Sequence, residues 1–245
     1  MWIEVDLMDA AGLSHIGLVR KKNEDNFILD REHNLFVICD GMGGHKGGDT
    51  ASRIATEIIG SAFFRGDEQD KIAALNNAII KANDSIWQAG LEEIEFHEMG
   101  TTVTAAFIEN DSLTIANVGD SSLYLLRENQ IKKITRDHTL AQQMVIDGLL
   151  KESEVRTCSY NHVLTRALGV QEEVHIDNFT IEIKPRDYIV LCSDGLSDML
   201  EDIEILSIIN HYRSDANAEQ LAEKLVNAAL DKGGYDNITV IVLCI

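Results

Sequence analysis

The segment that most constrains this chain is Leu35–Gly48, LFVICDGMGGHKGG. A short apolar run rich in Phe, Val and Ile stops at Asp40, and glycines at 41, 43, 44 and 47 follow. A run of this length and composition reads as a buried strand. The glycines permit a sharp turn and let another group come close to bare backbone. A carboxylate in that setting suits a metal ion. A plain strand ending in an Asp-Gly turn reads the same way.

The theme recurs along the chain. The run Tyr188 to Cys192 is followed by Ser193 and Asp194-Gly195, and Asp198 comes one helical turn later. SLTIANV at 112–118 runs into Gly119-Asp120, and Asp236-Asn237 precedes ITVIVLCI at 238–245. Asp40, Asp120 and Asp194 thus follow apolar strands, and Asp236 precedes one. In an antiparallel arrangement those ends can meet at one rim. Each aspartate alone is a turn residue; the four together point to a cluster.

The intervening segments supply both periods. Ser14 to Val19 reads as a strand, RKKNEDN at 20–26 as a polar loop holding Arg20, Glu24 and Asp25, and Asn26 to Leu29 as a second strand. A helix capped by Asp49 or Thr50 runs to about Phe64. Another runs from about Asp70 to Ala89, with Ile72, Leu75, Ile79 and Ile86 as its apolar stripe. Strands then fill 100–129, with turns at Asn110-Asp111 and Glu128-Asn129, as in an antiparallel meander. Residues 136–170 break the pattern. Two short helices separated at Gly148 fit there, either as a flap over a site or as a surface excursion. A strand at 174–183 and helices at about 201–211 and 217–231 complete the chain.

The chain has 245 residues, 45% of them hydrophobic, a single proline and no linker-like tract. One domain over 1–245 is expected. The net charge of −20 argues against nucleic acid and anionic membrane as partners. Cys39, Cys158, Cys192 and Cys244 are scattered, as in a reducing cytoplasm. The acidic N-terminus is no signal peptide, and the run 238–245 is too short to span a bilayer.

Clustered carboxylates in a confined site call for cations. Oxygen donors without Cys or His at zinc spacing select hard ions, Mg²⁺ or Mn²⁺. Two such ions about 3.5–4 Å apart hold a water, lower its pKa and stabilise phosphoryl transfer. Arg20 could grip phosphate oxygens bidentately. Ser193 has no base partner at a recognisable spacing, so its reading is a strand-end residue, not a nucleophile.

With these residues laid out, the chain resembles the metal-dependent protein phosphatases, the type 2C serine/threonine phosphatase family, in its compact bacterial form. The likeness spans about 14–245. It is carried by RKKNED at 20–25, DGMGGH at 40–45, GTTVTAAF at 100–107 and NVGDSSLYLLR at 117–127. The ordered segments DHT…VIDGLL…LTRALG ending at 169, SDGLSD at 193–198 and DNITVIV at 236–242 complete the set.

The resemblance implies an α+β fold, a four-layer α/β/β/α sandwich of two antiparallel sheets flanked by helices, with 136–170 as a flap. It implies two Mn²⁺ or Mg²⁺ ions. Asp40 would bridge both, the Gly41 carbonyl would serve one, and Asp194 and Asp236 the other. Glu24 and Asp25 would hold metal waters, Arg20 would bind substrate phosphate, and Asp120 and Asp198 match ligands of a third metal. A bridging water or hydroxide would attack phosphoserine or phosphothreonine directly. The partners implied are phosphorylated proteins, among them a Ser/Thr kinase and its substrates. A monomer in the cytoplasm is expected.

Three segments depart from the family pattern. Met42 stands where many eukaryotic relatives have a His proposed as the leaving-group acid, and Met cannot donate a proton. Ser122 replaces the Arg of a GDSR motif. Cys158-Ser159 replaces a common His-Pro in the flap. A non-catalytic phosphoprotein-binding relative is disfavoured by the retention of Arg20, Asp40, Asp194 and Asp236. A two-metal hydrolase of nucleotides or nucleic acid is the other alternative, and the acidic charge disfavours nucleic acid.

Overall fold

The computed structural model describes residues 8–43, 47–64 and 70–245. Gly44 and His45 of the glycine-rich segment, and the N-terminal stretch 1–7, lie outside the described residues.

The strands are β1 (Asp9–His15), β2 (Asp25–Asp30), β3 (Leu35–Met42), β4 (Gly100–Thr101), β5 (Val103–Glu109) and β6 (Ser112–Val118). They continue with β7 (Ser122–Arg127), β8 (Gln130–Lys133), β9 (Asp177–Glu182), β10 (Tyr188–Cys192) and β11 (Ile238–Cys244). The helices are α1 (Gly47–Phe63), α2 (Lys71–Glu92), α3 (Leu140–Ile146), α4 (Asp194–Ser197), α5 (Asp202–Tyr212) and α6 (Ala218–Asp231). One sheet runs β1-β11-β10-β7-β8. The other runs β2-β3-β5-β6-β9, with β4 added beside β3.

Period-2 alternation sorts β3 between two layers. Leu35, Val37 and Cys39 pack under α1 and α2 with Ile59, Leu75, Ile79 and Ile86. Phe36 and Ile38 point the other way and meet Leu123, Leu191 and Ile241 of the facing sheet. A strand buried on both faces reads as an unbroken apolar run, and β10 and β11 are built likewise. Val190, Cys192, Val240 and Val242 pack on Leu206, Ile209, Leu221 and Leu225 of α5 and α6. The result is the four-layer α/β/β/α sandwich.

The first expected strand is displaced. β1 ends at His15, and the stretch after it turns at Gly17, whose φ is +81°. Leu18 N–H donates to the Gly234 carbonyl at 2.7 Å, leaving the Leu18 and Val19 side chains exposed. Ser14 and Thr239 are register partners in the β1–β11 ladder. The run 238–245 is therefore mostly a central sheet strand, paired with β1 and β10.

The meander is also corrected. β5–β6 and β7–β8 are hairpins at the expected turns, but β6 and β7 belong to different sheets. The chain crosses at Gly119–Ser121. Gly119 has φ +106°, and a side chain there would collide with Thr102. The expected strand 100–110 is interrupted at Thr102, between β4 and β5. Asp40 lies inside β3, which runs on to Met42.

Helix α2 starts where Asp70 caps it, accepting from the Ile72 and Ala73 N–H groups, and it extends past Ala89 to Glu92. The insertion contains α3 and a 3₁₀ turn at Glu152–Thr157, on either side of Gly148. Cys39 and Cys192 are buried, and Cys244 is half-buried at its strand end. Among the described residues no helix is long and apolar enough to cross a membrane.

Candidate active site

The rim of the sandwich opens into a cleft of about 800 Å³ lined by Arg20, Glu24, Asp40, Gly41, Asp120, Asp194, Asp198 and Asp236. The four strand-terminal aspartates therefore do converge. Met42, Tyr235, Arg156, Asn161 and His162 form other parts of its wall. Asp25 stands behind Asp40, as its partner in the β2–β3 ladder.

Each acid is fixed by its element. The Asp40 N–H donates to Thr102 Oγ1 at 2.9 Å, and the Asp40 carbonyl accepts from Thr102 N–H and Thr101 Oγ1, both at 2.9 Å. Thr102 Oγ1 also lies 2.8 Å from Ser121 Oγ, which ties Asp40 to the crossover that carries Asp120. Asp194 opens α4, and the Asp198 N–H donates back to the Asp194 carbonyl at 2.8 Å. Asp236 pairs with Arg20.

Backbone crowding accounts for two glycines. A side chain on Gly41 would overlap the carbonyls of Glu24 and Gly48, and one on Gly195 would overlap the Asn237 carbonyl.

Asn237 stitches the Arg20 loop to the site. Its Nδ2 donates to the carbonyls of Ile16 and Lys22 at 2.9 Å, and its Oδ1 accepts from Glu24 N–H at 2.8 Å. Sequence reasoning gave no role to Asn237, Thr102, Arg156 or His162. The Asp-Asn pair at the start of the last strand and the doubled threonine before β5 were the available signals, and both also suit ordinary turns. Ser193 is explained structurally: its Oγ donates to Asp25 Oδ2 at 2.8 Å and accepts from Thr239 N–H at 3.0 Å.

The carboxyls are strongly perturbed. Burial, then the charges of Asp25, Asp194, Asp120 and Asp236, raise Asp40 well above the usual carboxylate range. Burial, then Asp120, Asp198, Asp236 and Asp25, does the same to Asp194. Asp120 is pushed up to about 7, first by burial and then by Asp137. Asp25 is raised to about 6 by burial, against hydrogen bonds from Thr239 and Ser193.

Asp194 Oδ1 and Asp25 Oδ1 are buried and have no hydrogen-bond partner. Carboxylate oxygens withdrawn from water and left unpaired among like charges need a cation. The donor set is oxygen, so these residues fit Mg²⁺ or Mn²⁺.

Fold and site together define the class, a four-layer phosphatase sandwich with an acid-lined cleft between its sheets. Residues 11–231 match the family model described as Protein phosphatase 2C. The chain belongs to that family, the serine/threonine protein phosphatase class of hydrolases.

The chain is 32% identical over 234 residues to the serine/threonine phosphatase stp of Listeria welshimeri, covering 93% of this chain and 92% of that protein. The crystal structure of the Mycobacterium tuberculosis serine/threonine phosphatase PstP/Ppp superposes with a TM-score of 0.89 at 32% identity, covering 97% and 98% of the two chains. The catalytic domain of PstP in complex with two manganese ions superposes with a TM-score of 0.85 at 32% identity, covering 97% of each chain.

Proposed function

We infer that this chain removes phosphate from phosphoserine and phosphothreonine in proteins, using two Mn²⁺ or Mg²⁺ ions, and so counteracts a Ser/Thr protein kinase. The observation that carries this reading is the convergence of Asp40, Asp194 and Asp236 in one cleft, with a buried Asp194 oxygen left unpartnered. Asp40 would bridge the ions. The Gly41 carbonyl would serve one, Asp194 and Asp236 the other, and Glu24 and Asp25 would act through waters. Asp120 and Asp198 would serve a third ion.

When bound, two such ions lower the pKa of a water between them and neutralise charge developing on the phosphoryl oxygens. Arg20, half-exposed and lining the cleft, would take two phosphate oxygens of the substrate. Met42 lines the cleft but has no proton to give. The leaving oxygen then takes its proton from water or from another group. The chain would act as one monomeric catalytic domain in a bacterial cytoplasm, with 136–170 as the flap over the cleft.

The test is phosphate release from a phosphothreonine peptide with Mn²⁺, with Mg²⁺ and with chelator, beside Asp40→Asn. Metal-dependent turnover that the substitution lowers at least a hundredfold is expected, the scale of removing one preorganised electrostatic group. Folded protein inactive with both metals, or a preference for nucleotides over the phosphopeptide, overturns the reading.

A further inference from the structure

Apolar side chains gather beside Arg20. Leu18 and Val19 immediately precede it and are 65% and 61% exposed, and Tyr235, next to Asp236, is 62% exposed. Tyr235 lines the cleft together with Arg20 and Asp236. Exposed apolar side chains scattered singly need no explanation. Several gathered at the edge of a cleft mark a contact surface.

Two interlocked turns hold this surface in place. Leu18 N–H donates to the Gly234 carbonyl at 2.7 Å, and a side chain on Gly234 would meet Leu18 Cγ at 3.3 Å. One on Gly233 would collide with the Tyr235 ring. Leu18 thus rests on Gly234, and the Tyr235 ring folds back over Gly233. Gly17 packs in turn so tightly that a side chain there would overlap the carbonyls of Asp236 and Gly234. Asn237 Nδ2 ties down Ile16 and Lys22, on either side of Leu18 and Arg20. Leu18 and Tyr235 are therefore presented by backbone already fixed before anything binds, which lowers the entropic cost of a contact there.

We propose that Leu18 and Tyr235 form an apolar shelf that receives an apolar side chain within two residues of the phosphorylated serine or threonine of a protein substrate. The proposal rests on reading the cleft as a phosphoprotein phosphatase site, and it names the sequence around the phosphate that the site favours. The occupant follows from continuity with that cleft. Leu18 is two positions from Arg20, and Tyr235 adjoins the aspartate with which Arg20 pairs. A phosphate held by Arg20 brings the neighbouring peptide across the shelf. In an extended segment, side chains two positions apart share a face and stand about 7 Å from one another, so a neighbour of the phosphorylated residue falls within reach. Acidic neighbours are repelled by an acid-lined cleft on a chain of net charge −20. An apolar neighbour meets no such repulsion and gains by leaving water.

The experiment compares short phosphothreonine peptides on the full chain with Mn²⁺. One has glycine at the two positions on each side of the phosphothreonine, and the others carry a single leucine at each of those positions in turn. At least one leucine peptide should exceed the glycine peptide about tenfold in kcat/KM, the scale of one aliphatic side chain partly withdrawn from water. The gain should lie in KM, since the contact is made equally in the ground and transition states. Leu18→Ser and Tyr235→Ser should each shrink that ratio to about twofold or less, whereas Leu18→Met and Tyr235→Phe should keep it. The ratio is taken within each variant, so a change in overall activity cancels.

Equal turnover of the glycine peptide and all leucine peptides by the wild type would overturn the shelf and leave the phosphatase reading standing. A leucine preference that survives in both serine variants would overturn it as well. A dimer in sedimentation that Leu18→Ser dissociates would assign the surface to a second copy of the chain, again overturning the proposal. Absence of turnover of every peptide would overturn both readings.

Discussion

Asp25 and Asp40 face each other as register partners across the β2–β3 ladder, and Asp25 is gripped from the opposite sheet by Ser193 Oγ at 2.8 Å and Thr239 Oγ1 at 2.6 Å. Two carboxyls this close, both buried, resist ionising together.

The metal-free protein should therefore lose stability as pH rises. Asp25 is raised to about 6 and Asp120 to about 7, each by burial first. An unfolded aspartate titrates near 4. Between about pH 4 and 7 the folded chain holds more protons than the unfolded one, so stability falls through that window. In chelator, Tm measured by circular dichroism should drop by roughly 5–10 °C from pH 5 to 7.5, the scale of a few kcal/mol in a domain this size. Saturating Mn²⁺ should recover most of the loss at pH 7.5 and little at pH 5. A chelated protein whose Tm rises over this range would contradict the argument.

Arg20 and Asp236 form a partly exposed ion pair, with side chains 49% and 34% exposed. A pair of that exposure contributes at most about 1 kcal/mol. Any ion bound by Asp236 must compete with Arg20. Arg20→Ala should leave Mn²⁺ affinity unchanged or raise it by up to about fivefold. The same change should lower kcat/KM for a phosphopeptide by roughly ten- to a hundredfold, through the lost charge-assisted bonds. Calorimetry beside steady-state kinetics separates the two effects. A fall in metal affinity would show that Arg20 supports the metal site instead.

Much of this was legible where strands are buried on both faces. Leu35 to Cys39 and Tyr188 to Cys192 announce themselves as unbroken apolar runs, and the acids beside them stand out for that reason. The crossover at Gly119–Ser121 was not legible. A short Gly-Asp-Ser connection between two strands looks like a hairpin, and only Gly119 packing on Thr102 reveals the change of sheet. Asp25 to Thr239 and Asn237 to Lys22 join residues more than two hundred positions apart, and such contacts leave no local spacing to read. The Ser14–Val19 expectation failed because exposed Leu18 and Val19 imitate a strand while their backbone is turned by Gly17.

Gly195 abuts the Asn237 carbonyl so closely that any side chain would overlap it. The obstacle is backbone and cannot rotate away. Gly195→Ala must separate the start of α4, which carries Asp194, from the turn before β11, which carries Asp236. The expected cost is about 1–3 kcal/mol in stability, with weakened Mn²⁺ binding. Gly148→Ala is the control. Gly148 has φ +72° but nothing within 4 Å of an added methyl, so it should cost about 1–2 kcal/mol by strain and leave Mn²⁺ affinity intact. Equal metal affinities in the two variants would refute this account.

Arg156 joins the insertion to the Asp198 turn by hydrogen bonds to two carbonyl oxygens, those of Asp198 and Leu200. Its removal takes away two hydrogen bonds and creates no cavity in the core. Arg156→Ala should therefore lower Tm by only a few degrees, as about 1–2 kcal/mol implies. The local consequence should be larger. Amides of α3 and of the 3₁₀ turn at Glu152–Thr157 should exchange with deuterium several-fold faster, while β10 and β11 keep their protection. Hydrogen exchange followed by mass spectrometry reads both regions in one experiment. Faster exchange confined to the insertion would identify Arg156 as its hold on the sandwich. Unchanged exchange there would show that the backbone bonds from His138 to Gly119 and between Thr101 and Leu168 suffice to hold it.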